Sequence, residues 1–342
     1  MLSTLLVGFG FSAKTFHLPF LNYNDQLAVS GVVSSRPDAV ASVLPDIPVY
    51  SNLADGLSHA APDLCIITTP NHLHADQVSQ CLTAGSHVLV EKPFTLSLAD
   101  ATALVAQARL SKTSLHVFHN RRFDGDFLTV QRLLSEQQLG TVRRMVSRFD
   151  RFRPVPRDRW RENAGPGAGI FWDLGPHLID QSIQLFGMPE AVQANIQTLR
   201  PNGQSDDCFD VTLFYPDKQV AVGSSAFQAG KTLRFDVQGD KGSYRKYGLD
   251  PQEQLLRDGV SLTSAQWGQE DEESYGMLHC ESGSTPVTTV RGDYREFYRQ
   301  LVTSLTTGDA SPCSADSVVP VIQVMEQAWQ SHRDKRRVEI IK

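Results

Sequence analysis

The chain has 342 residues, 41% of them hydrophobic and 20% charged, a composition and length typical of a globular protein of two domains. Its formal net charge of −6 disfavours a nucleic-acid partner, which would need a basic stripe. No apolar run approaches the roughly 18 residues of a membrane span, so no membrane partner is expected. The five cysteines show no Cys-x-x-Cys spacing, which favours reduced thiols. Residues 1–13 lack the cleavage site of a signal peptide, so a cytoplasmic protein is expected.

Residues 1–120 alternate short apolar runs with helical stretches, the pattern of a doubly wound parallel sheet. The predicted strands are Leu2–Val7, Leu27–Val33, Leu64–Thr68, Val88–Val90 and Leu115–Phe118. The predicted helices are Ser12–Asn22, Pro37–Leu44, Ala75–Ala84 and Ser97–Leu110. We therefore expect residues 1–120 to form a first domain.

Residues 121–342 change pattern and are predicted to form a second α/β domain, in which neighbouring strands favour an antiparallel sheet with helices on one face. The predicted helices are Phe127–Gln137, Pro176–Phe186, Tyr294–Thr307 and Ser314–Ser331, the last a candidate to pack back on the first domain. The predicted strands are Val142–Phe152, Ala191–Thr198, Phe209–Tyr215, Gln219–Phe227 and Leu233–Gln238. Residues 249–290 are polar and are expected to be an irregular surface segment.

A glycine-rich turn, Gly8-Phe9-Gly10-Phe11-Ser12-Ala13, follows the first predicted strand and fits the pattern G-x-G-x-x-A. In that pattern Gly8 allows a tight turn, Gly10 lets the backbone approach a pyrophosphate, and Ala13 lets helix and strand pack closely. The N–H groups at the start of the helix, around Phe11 and Ser12, would meet the phosphate. The alternative is a glycine turn that binds nothing.

The second predicted strand ends in Ser34-Ser35-Arg36, where an NAD site usually has a carboxylate for the ribose 2′-hydroxyl. Here no carboxylate repels a 2′-phosphate, two hydroxyls can donate to it, and Arg36 can pair with it. We therefore expect NADP as the cofactor. The alternative is a solvated arginine beside Pro37.

Two further strand ends carry polar groups at the edge of the sheet where open α/β sheets bind ligands. Thr69-Pro70-Asn71 is expected on the nicotinamide side of the cofactor, and Glu91-Lys92-Pro93 places a cation nearby. His72 and His74 have no third ligand at zinc spacing, so a capping or surface role is expected and no metal.

The second candidate site is the segment from Asp173 to Asp180. Pro176 suits a first helical turn, and His177 and Asp180 can then share a helix face. A helix N-terminus disfavours the cationic form of His177, which keeps a neutral imidazole available as a base. The alternative is a capping aspartate with a hydrogen-bonded histidine.

These motifs together resemble the Gfo/Idh/MocA oxidoreductase family along essentially the whole chain. The resemblance is carried by Gly8-x-Gly10, Pro70-Asn71, Glu91-Lys92-Pro93 and Asp173-x-Gly175-x-His177. It is greatest to the NADP-dependent scyllo-inositol 2-dehydrogenase branch, through Lys14-Thr15-Phe16-His17, Phe118-His119-Asn120-Arg121-Arg122-Phe123-Asp124 and Arg157-Asp158-Arg159-Trp160-Arg161-Glu162.

The resemblance implies a Rossmann domain, an α/β domain with a large, mainly antiparallel open sheet, and a homodimer or homotetramer formed through that sheet. It also implies that Lys92 and His177 flank the reacting carbon with Asp173 nearby, and that Lys92-Pro93 is a cis peptide. Cofactor contacts are expected from Glu91, Asn120, Trp160 and Arg161 in addition to the residues above. Substrate contacts are expected from Lys92, Arg122, Asp173 and His177.

The leading hypothesis is an NADP-dependent dehydrogenase of a cyclic polyol or sugar, with scyllo-inositol as the first candidate. In this hypothesis His177 is the general base, Lys92 stabilises the developing alkoxide, and Asp173 orients the imidazole or binds a neighbouring hydroxyl. One alternative is a reductase of another sugar-derived carbonyl, an aldose or an anhydro-ketose. Another is a non-catalytic NADP-binding sensor, against which the presence of Lys92, Asp173 and His177 argues.

Overall fold

The computed structural model describes residues 1–309 and 311–340 and divides the chain into two compact units. The first unit contains Met1–His119, Glu253–Trp267 and Tyr294–Val319. The second contains Asn120–Gln252, Gly268–Asp293 and the chain from Pro320 onward. Two later segments of the chain therefore belong to the same unit as its first 119 residues.

The strands and helices are numbered in chain order. The strands are β1 Leu2–Val7, β2 Leu27–Val33, β3 Val49–Tyr50, β4 Leu64–Ile67, β5 His87–Val90, β6 Leu115–Val117, β7 Val142–Arg148, β8 Ala191–Gln197, β9 Cys208–Phe214, β10 Gln219–Ser225, β11 Leu233–Gly239, β12 Ser243–Tyr247, β13 Gly276–Cys280, β14 Gly283–Val287 and β15 Val338–Glu339. The α-helices are α1 Leu18–Tyr23, α2 Pro37–Ala41, α3 Leu53–Ala60, α4 His74–Thr83, α5 Leu98–Ser111, α6 Gly125–Ser135, α7 Ile170–Phe186, α8 Gln252–Arg257, α9 Tyr294–Thr307 and α10 Ala315–Asp334.

The first unit is built on a six-stranded parallel sheet with the order β3-β2-β1-β4-β5-β6. Its central strand β4 is apolar and buried along its whole length, as expected for a parallel sheet covered on both faces. This is the doubly wound arrangement predicted from the sequence. The order reverses between β1 and β4, so the ends of these strands and of β2 and β5 form the usual ligand-binding edge.

The first unit differs from the prediction in two regions. The sequence analysis missed the short pair β3 and α3, whose apolar residues are too few to give a periodic signal. The predicted helix from Ser12 to Asn22 is in fact a π-helical turn, Ala13–His17, followed by α1.

The second unit is built on a nine-stranded sheet with the order β14-β13-β12-β11-β7-β10-β9-β8-β15. Neighbouring strands are antiparallel except β7 and β10, which are parallel. The two sheets confirm the predicted fold class. Residues 249–290, however, are not irregular, because they contain α8 and the hairpin β13–β14 at one edge of this sheet.

A buried arginine attaches α7 to the second sheet. Arg234 on β11 is 1% exposed and donates to Asp126 Oδ2 on α6 at 3.0 Å and to Ser147 Oγ on β7 at 2.7 Å. It also donates to Gln181 Oε1 on α7 at 2.6 Å, and the Gln181 amide donates to the Arg121 carbonyl at 2.8 Å. These hydrogen bonds determine which face of α7 packs against the sheet.

Within the described residues, no helix is both long enough and apolar enough to cross a membrane.

Candidate active site

The glycine-rich turn after β1 is tightly packed on one side and open on the other. Gly8 has φ +93°, and a Cβ there would lie 2.9 Å from Thr68 Oγ1 at the end of β4, so only glycine fits without displacement. A Cβ on Gly10 would meet nothing within 4 Å, which leaves its outer side open to an incoming group. Ala13 is fully buried where helix and strand pack together. The turn therefore has the shape that a pyrophosphate requires.

Arg36 lies beside this turn at the end of β2. Its Nη2 donates to the Phe9 carbonyl at 3.2 Å, and its backbone N–H donates to Ser34 Oγ at 3.1 Å. Both Ser35 and Arg36 are exposed, so their polar groups face solvent at the place where a ribose 2′ substituent is expected.

The segment after β4 is held by a buried histidine. Thr69 donates its hydroxyl hydrogen to Gln77 Oε1 at 2.5 Å, and Asn71 is 5% exposed. The ring of His74 is fully buried, with Nδ1 2.8 Å from the Pro93 carbonyl and Nε2 3.0 Å from the Thr69 carbonyl. His74 thus links the Thr69–Asn71 segment to the segment that contains Lys92. The surface or capping role expected for His74 is wrong, although His72 is exposed.

Lys92 follows β5, is half-buried, and is joined to Pro93 by a cis peptide bond, as the family resemblance implied. The neighbouring carboxylate of Glu91 is buried and contacts Ser12 and His17. Burial alone would raise the pKa of Glu91, but the hydrogen bond and charge of His17, the charge of Lys92 and the Ser12 hydroxyl lower it to about 2. The carboxylate is therefore ionised at neutral pH and bonded within the protein.

The helix α7 presents Asp173 in its first turn and His177 one turn later. His177 is 4% exposed and Asp173 is half-buried, so the two lie at the buried margin of one helix face. The helix begins at Ile170 rather than at Pro176, which lies inside it. His177 is therefore the eighth residue of the helix, and the prediction that a helix N-terminus keeps it neutral is wrong, because that effect ends within the first turn.

The loop before α7 contacts Asp173. Arg161 lies 4.5 Å over the ring of Trp160, and its Nε is 3.7 Å from Asp173 Oδ1. Arg159 and Arg161 of this loop line a small pocket together with Asp173 and the start of α7. The structure therefore places Arg161 in a loop that lines this pocket.

Buried acids that the sequence analysis missed hold this loop. Glu162 accepts hydrogen bonds from the Arg157 backbone at 3.0 Å, from Arg159 Nε at 2.6 Å and from Arg200 Nη1 at 2.8 Å. Arg200 also donates to Asp207 Oδ2 at 3.0 Å. No local sequence signal pairs residue 162 with residue 200, because the contact depends on the sheet.

Asp206 fixes the start of α7. Its Oδ2 accepts the Phe171 N–H at 2.6 Å, and a Cβ on Gly169 would lie 1.9 Å from its Oδ1. Burial raises the pKa of Asp206 to about 7, and the charge of Asp207 adds to this, while the Phe171 N–H opposes it. The helix that bears Asp173 and His177 is therefore anchored by a carboxyl group that titrates near neutral pH.

The segment Asn120–Phe123 forms a 3-10 turn at the start of the second unit. Asn120 is 5% exposed. Arg122 donates from Nε to Asp180 Oδ2 at 2.9 Å and from Nη2 to Asp180 Oδ1 at 2.6 Å. This bidentate ion pair holds the turn against α7. The guanidinium of Arg122, for which a substrate contact was predicted, is therefore bonded to a carboxylate of the protein.

The parallel sheet, the glycine turn and the open edge beside it define a dinucleotide-binding protein of the Rossmann class. Residues 2–119 match the model of an oxidoreductase family described as an NAD-binding Rossmann fold, and residues 131–340 match the C-terminal alpha/beta domain of the same Gfo/Idh/MocA family. The chain belongs to this oxidoreductase family. The family prediction is confirmed, and so is the predicted enzyme class, an NAD(P)-dependent dehydrogenase.

Relatives of full length support the assignment. The chain is 39% identical over 334 residues to YdgJ of Escherichia coli, an uncharacterised oxidoreductase, with 96% of each chain covered. It is 36% identical over 337 residues to IolW of Bacillus subtilis, a scyllo-inositol 2-dehydrogenase (NADP(+)), with 97% of this chain and 94% of IolW covered. A crystal structure of an oxidoreductase from Bacillus cereus matches with a TM-score of 0.90 at 29% identity, covering 100% of this chain and 99% of that one.

Proposed function

We propose that the protein transfers hydride between NADP and a secondary alcohol of a cyclic polyol or sugar, with scyllo-inositol as the first candidate substrate. The observation that carries the cofactor choice is the Arg36 guanidinium, bonded at 3.2 Å to the carbonyl of Phe9 in the glycine turn. The similarity to IolW, 36% identical over 337 residues, supports the choice of substrate.

The residues of the first unit fit this cofactor. The open side of Gly10 accommodates the pyrophosphate against the N–H groups of Phe11, Ser12 and Ala13. Ser34, Ser35 and Arg36 would hold the 2′-phosphate, and none of these three residues carries a carboxylate that would repel it.

We further propose that the remaining predicted contacts serve the nicotinamide half of the cofactor. These residues are Thr69, Pro70, Asn71, Asn120, Trp160 and Arg161. NADP, when bound, supplies the nicotinamide ring that accepts the hydride.

In the proposed mechanism His177 removes the hydroxyl proton, since a secondary alcohol releases hydride readily only as its proton leaves. The Lys92 ammonium donates to the same oxygen and stabilises the alkoxide as it develops. Asp173, one helical turn before His177, orients the imidazole or binds an adjacent hydroxyl. Reduction follows the same path in reverse, with His177 returning the proton.

The test is an assay of the purified protein with NADP and a panel of inositols, aldoses and other polyols, following the absorbance of reduced nicotinamide. We expect the greatest kcat/KM with a cyclic polyol. A clear preference for an aldose or an anhydro-ketose would instead assign the reductase of another sugar-derived carbonyl. NADP binding without turnover of any alcohol or carbonyl would contradict the proposed enzyme and favour a sensor.

A further inference from the structure

The buried carboxylate of Glu91 is the centre of a hydrogen-bond chain in the first unit that the proposed mechanism does not use. Its Oε1 accepts from the Ser12 hydroxyl and lies 3.1 Å from His17 Nε2. Its Oε2 accepts the backbone N–H of Lys92 at 3.1 Å. One carboxylate therefore joins the cofactor turn to the residue that bears the proposed catalytic ammonium.

A π-helical turn places His17 against this carboxylate. Residues Ala13–His17 follow the glycine turn with π-helical bonding, a rare geometry that occurs frequently at functional sites. His17 is fully buried, and its ring centroid lies 4.5 Å from that of Phe118. The His17 ring is therefore shielded from water, and its contact with the Glu91 carboxylate lies inside the protein.

The other side of the imidazole meets a tyrosine of α9. The Tyr298 hydroxyl lies 2.8 Å from His17 Nδ1 and 3.1 Å from the Phe16 carbonyl oxygen. Burial, together with the charge of Glu91, raises the pKa of Tyr298 well above its ordinary value, so the phenol keeps its hydrogen.

The chemistry of these groups assigns the hydrogens. Ionised Glu91 can only accept, so His17 Nε2 carries a hydrogen. The Tyr298 hydroxyl has two acceptors within reach for its own hydrogen, His17 Nδ1 at 2.8 Å and the Phe16 carbonyl at 3.1 Å.

We propose that Tyr298, His17 and Glu91 form a positioning relay that holds the backbone of Lys92 and the hydroxyl of Ser12 in a fixed relation. The relay is built from residues far apart in the chain and lies wholly within the first unit. Its effect on hydride transfer rests on the proposed function, whereas its effect on the cofactor turn does not.

The relay can be tested through the pH dependence of the protein, because the pKa of Glu91 depends on the charged groups around it. The groups that face it are His17 from the π-helical turn, Lys92 from its own segment and the neutral Tyr298 from α9. Burial is the largest single influence on the pKa of Glu91 and raises it, so the low value of about 2 depends on the opposing groups. If His17 cannot donate, we expect that pKa to rise above its ordinary range.

The first experiment compares His17→Leu, which has no donor, with His17→Gln, which retains an N–H. In His17→Leu we expect kcat with the polyol to fall about 100-fold while KM changes little, and to fall further from about pH 8 to about pH 5 as Glu91 protonates. His17→Gln should recover most of the activity and show the wild-type pH profile. Parallel pH profiles in the two variants would overturn the relay.

The second measurement needs no substrate. A raised Glu91 pKa favours the protonated folded state, so the melting-temperature deficit of the His17→Leu apoprotein should be larger at about pH 8 than at about pH 5. Its dissociation constant for NADP should also increase several-fold at about pH 5. A deficit that is independent of pH would contradict the proposal even if no polyol is turned over.

Two conservative tyrosine variants test the relay with less risk of misfolding. Tyr298→Phe removes only the hydroxyl that contacts His17, and Tyr294→Phe removes a hydroxyl from an equally buried tyrosine one turn earlier on α9. We expect Tyr298→Phe to shift the pH dependence of NADP binding in the same direction as His17→Leu, but less, and Tyr294→Phe to leave it unchanged. Identical behaviour of the two tyrosine variants would refute the relay.

Discussion

Arg36 is the residue on which the proposed preference for NADP rests. Its guanidinium lies against the glycine turn, so Arg36→Ala should weaken NADP binding far more than NAD binding, since only NADP carries the 2′-phosphate. We expect a loss of about 1.5–3 kcal/mol for NADP, the range for a charge-assisted hydrogen bond.

Fluorescence titration with each cofactor measures this difference. Arg109→Ala, which removes an exposed arginine on α5, is the matched control and should change neither affinity. Equal losses for NAD and NADP in Arg36→Ala would exclude the 2′-phosphate contact.

The proposed catalytic pair gives a second prediction at this scale. His177→Ala and Lys92→Ala should each lower kcat by about 10²–10⁴-fold, the usual contribution of a positioned acid or base, while NADP still binds. Single-turnover kinetics with titrated NADP separates the chemical step from binding. Wild-type turnover in either variant would remove that residue from the mechanism.

The sequence predicted Gly8, Arg36 and Lys92 because each belongs to a short motif with a local geometric reason. It did not reveal that Glu162 pairs with Arg200 or that Asp206 accepts the Phe171 N–H, contacts that span 38 and 35 residues of the chain. A charge in a loop has many possible partners, and only the folded sheet selects one. Residue types therefore predicted the chemistry, but not the buried acids that support it.

At the scale of elements, α7 shows how a local signal misleads. Pro176 is a favourable first-turn residue and predicts a helix start at residue 176, yet the helix extends six residues further toward the N-terminus. Gly169, with φ +98°, immediately precedes the helix, and the Asp206 carboxyl accepts the Phe171 N–H in its first turn. A carboxyl group supplied from a distant loop, just before β9, has no signature in the local sequence.

The titration of Asp206 leads to a pH-dependent prediction. Its folded-state pKa of about 7 exceeds its ordinary value of 3.8, so ionisation costs stability as the pH rises through this interval. Asp206→Asn keeps an oxygen for the Phe171 N–H and cannot ionise. It should stabilise the protein more at about pH 8 than at about pH 5, by on the order of 2 kcal/mol.

Urea unfolding of Asp206→Asn and the wild type at the two pH values measures this difference. Asp210→Asn is a control, because its carboxyl lies on the neighbouring strand β9 and is well exposed. A gain in Asp206→Asn that does not depend on pH would show that the carboxyl is ionised throughout.

At the scale of the whole molecule, hydrophobic periodicity was enough to predict two α/β parts and the parallel sheet. It could not predict the polar core of the second unit, because Arg234 lies in a strand whose burial depends on two helices packing over it. The hairpin β13–β14 was missed for a related reason. Its exposed edge strand carries no apolar alternation.

Arg234→Met tests how much the buried polar contacts of Arg234 contribute to the free energy of unfolding. The change leaves Asp126 buried without its cation, so we expect a loss of about 3–5 kcal/mol in unfolding free energy. Arg245→Met on the adjacent strand breaks an ion pair whose arginine is 46% exposed and should cost less than about 1 kcal/mol. If a denaturant titration gives equal losses of unfolding free energy for the two variants, the buried ion pair stabilises the protein no more than the exposed one.

We also propose that the protein assembles as a homodimer or homotetramer through the nine-stranded sheet. Light scattering coupled to gel filtration should give a mass two or four times that of the 37.9 kDa chain. A monomer over the whole concentration range would refute this assembly.

The parallel pair β7 and β10 has a consequence for how such an enzyme can diversify. The chain leaves β7 at Arg148 and returns beside it at Gln219, and the intervening connection contains the loop around Arg161 and all of α7. The register of the two strands fixes where this connection begins and ends, but not its length or composition. The loop that borders the pocket can therefore change by insertion or substitution within residues 149–169 while every strand of the sheet keeps its neighbour.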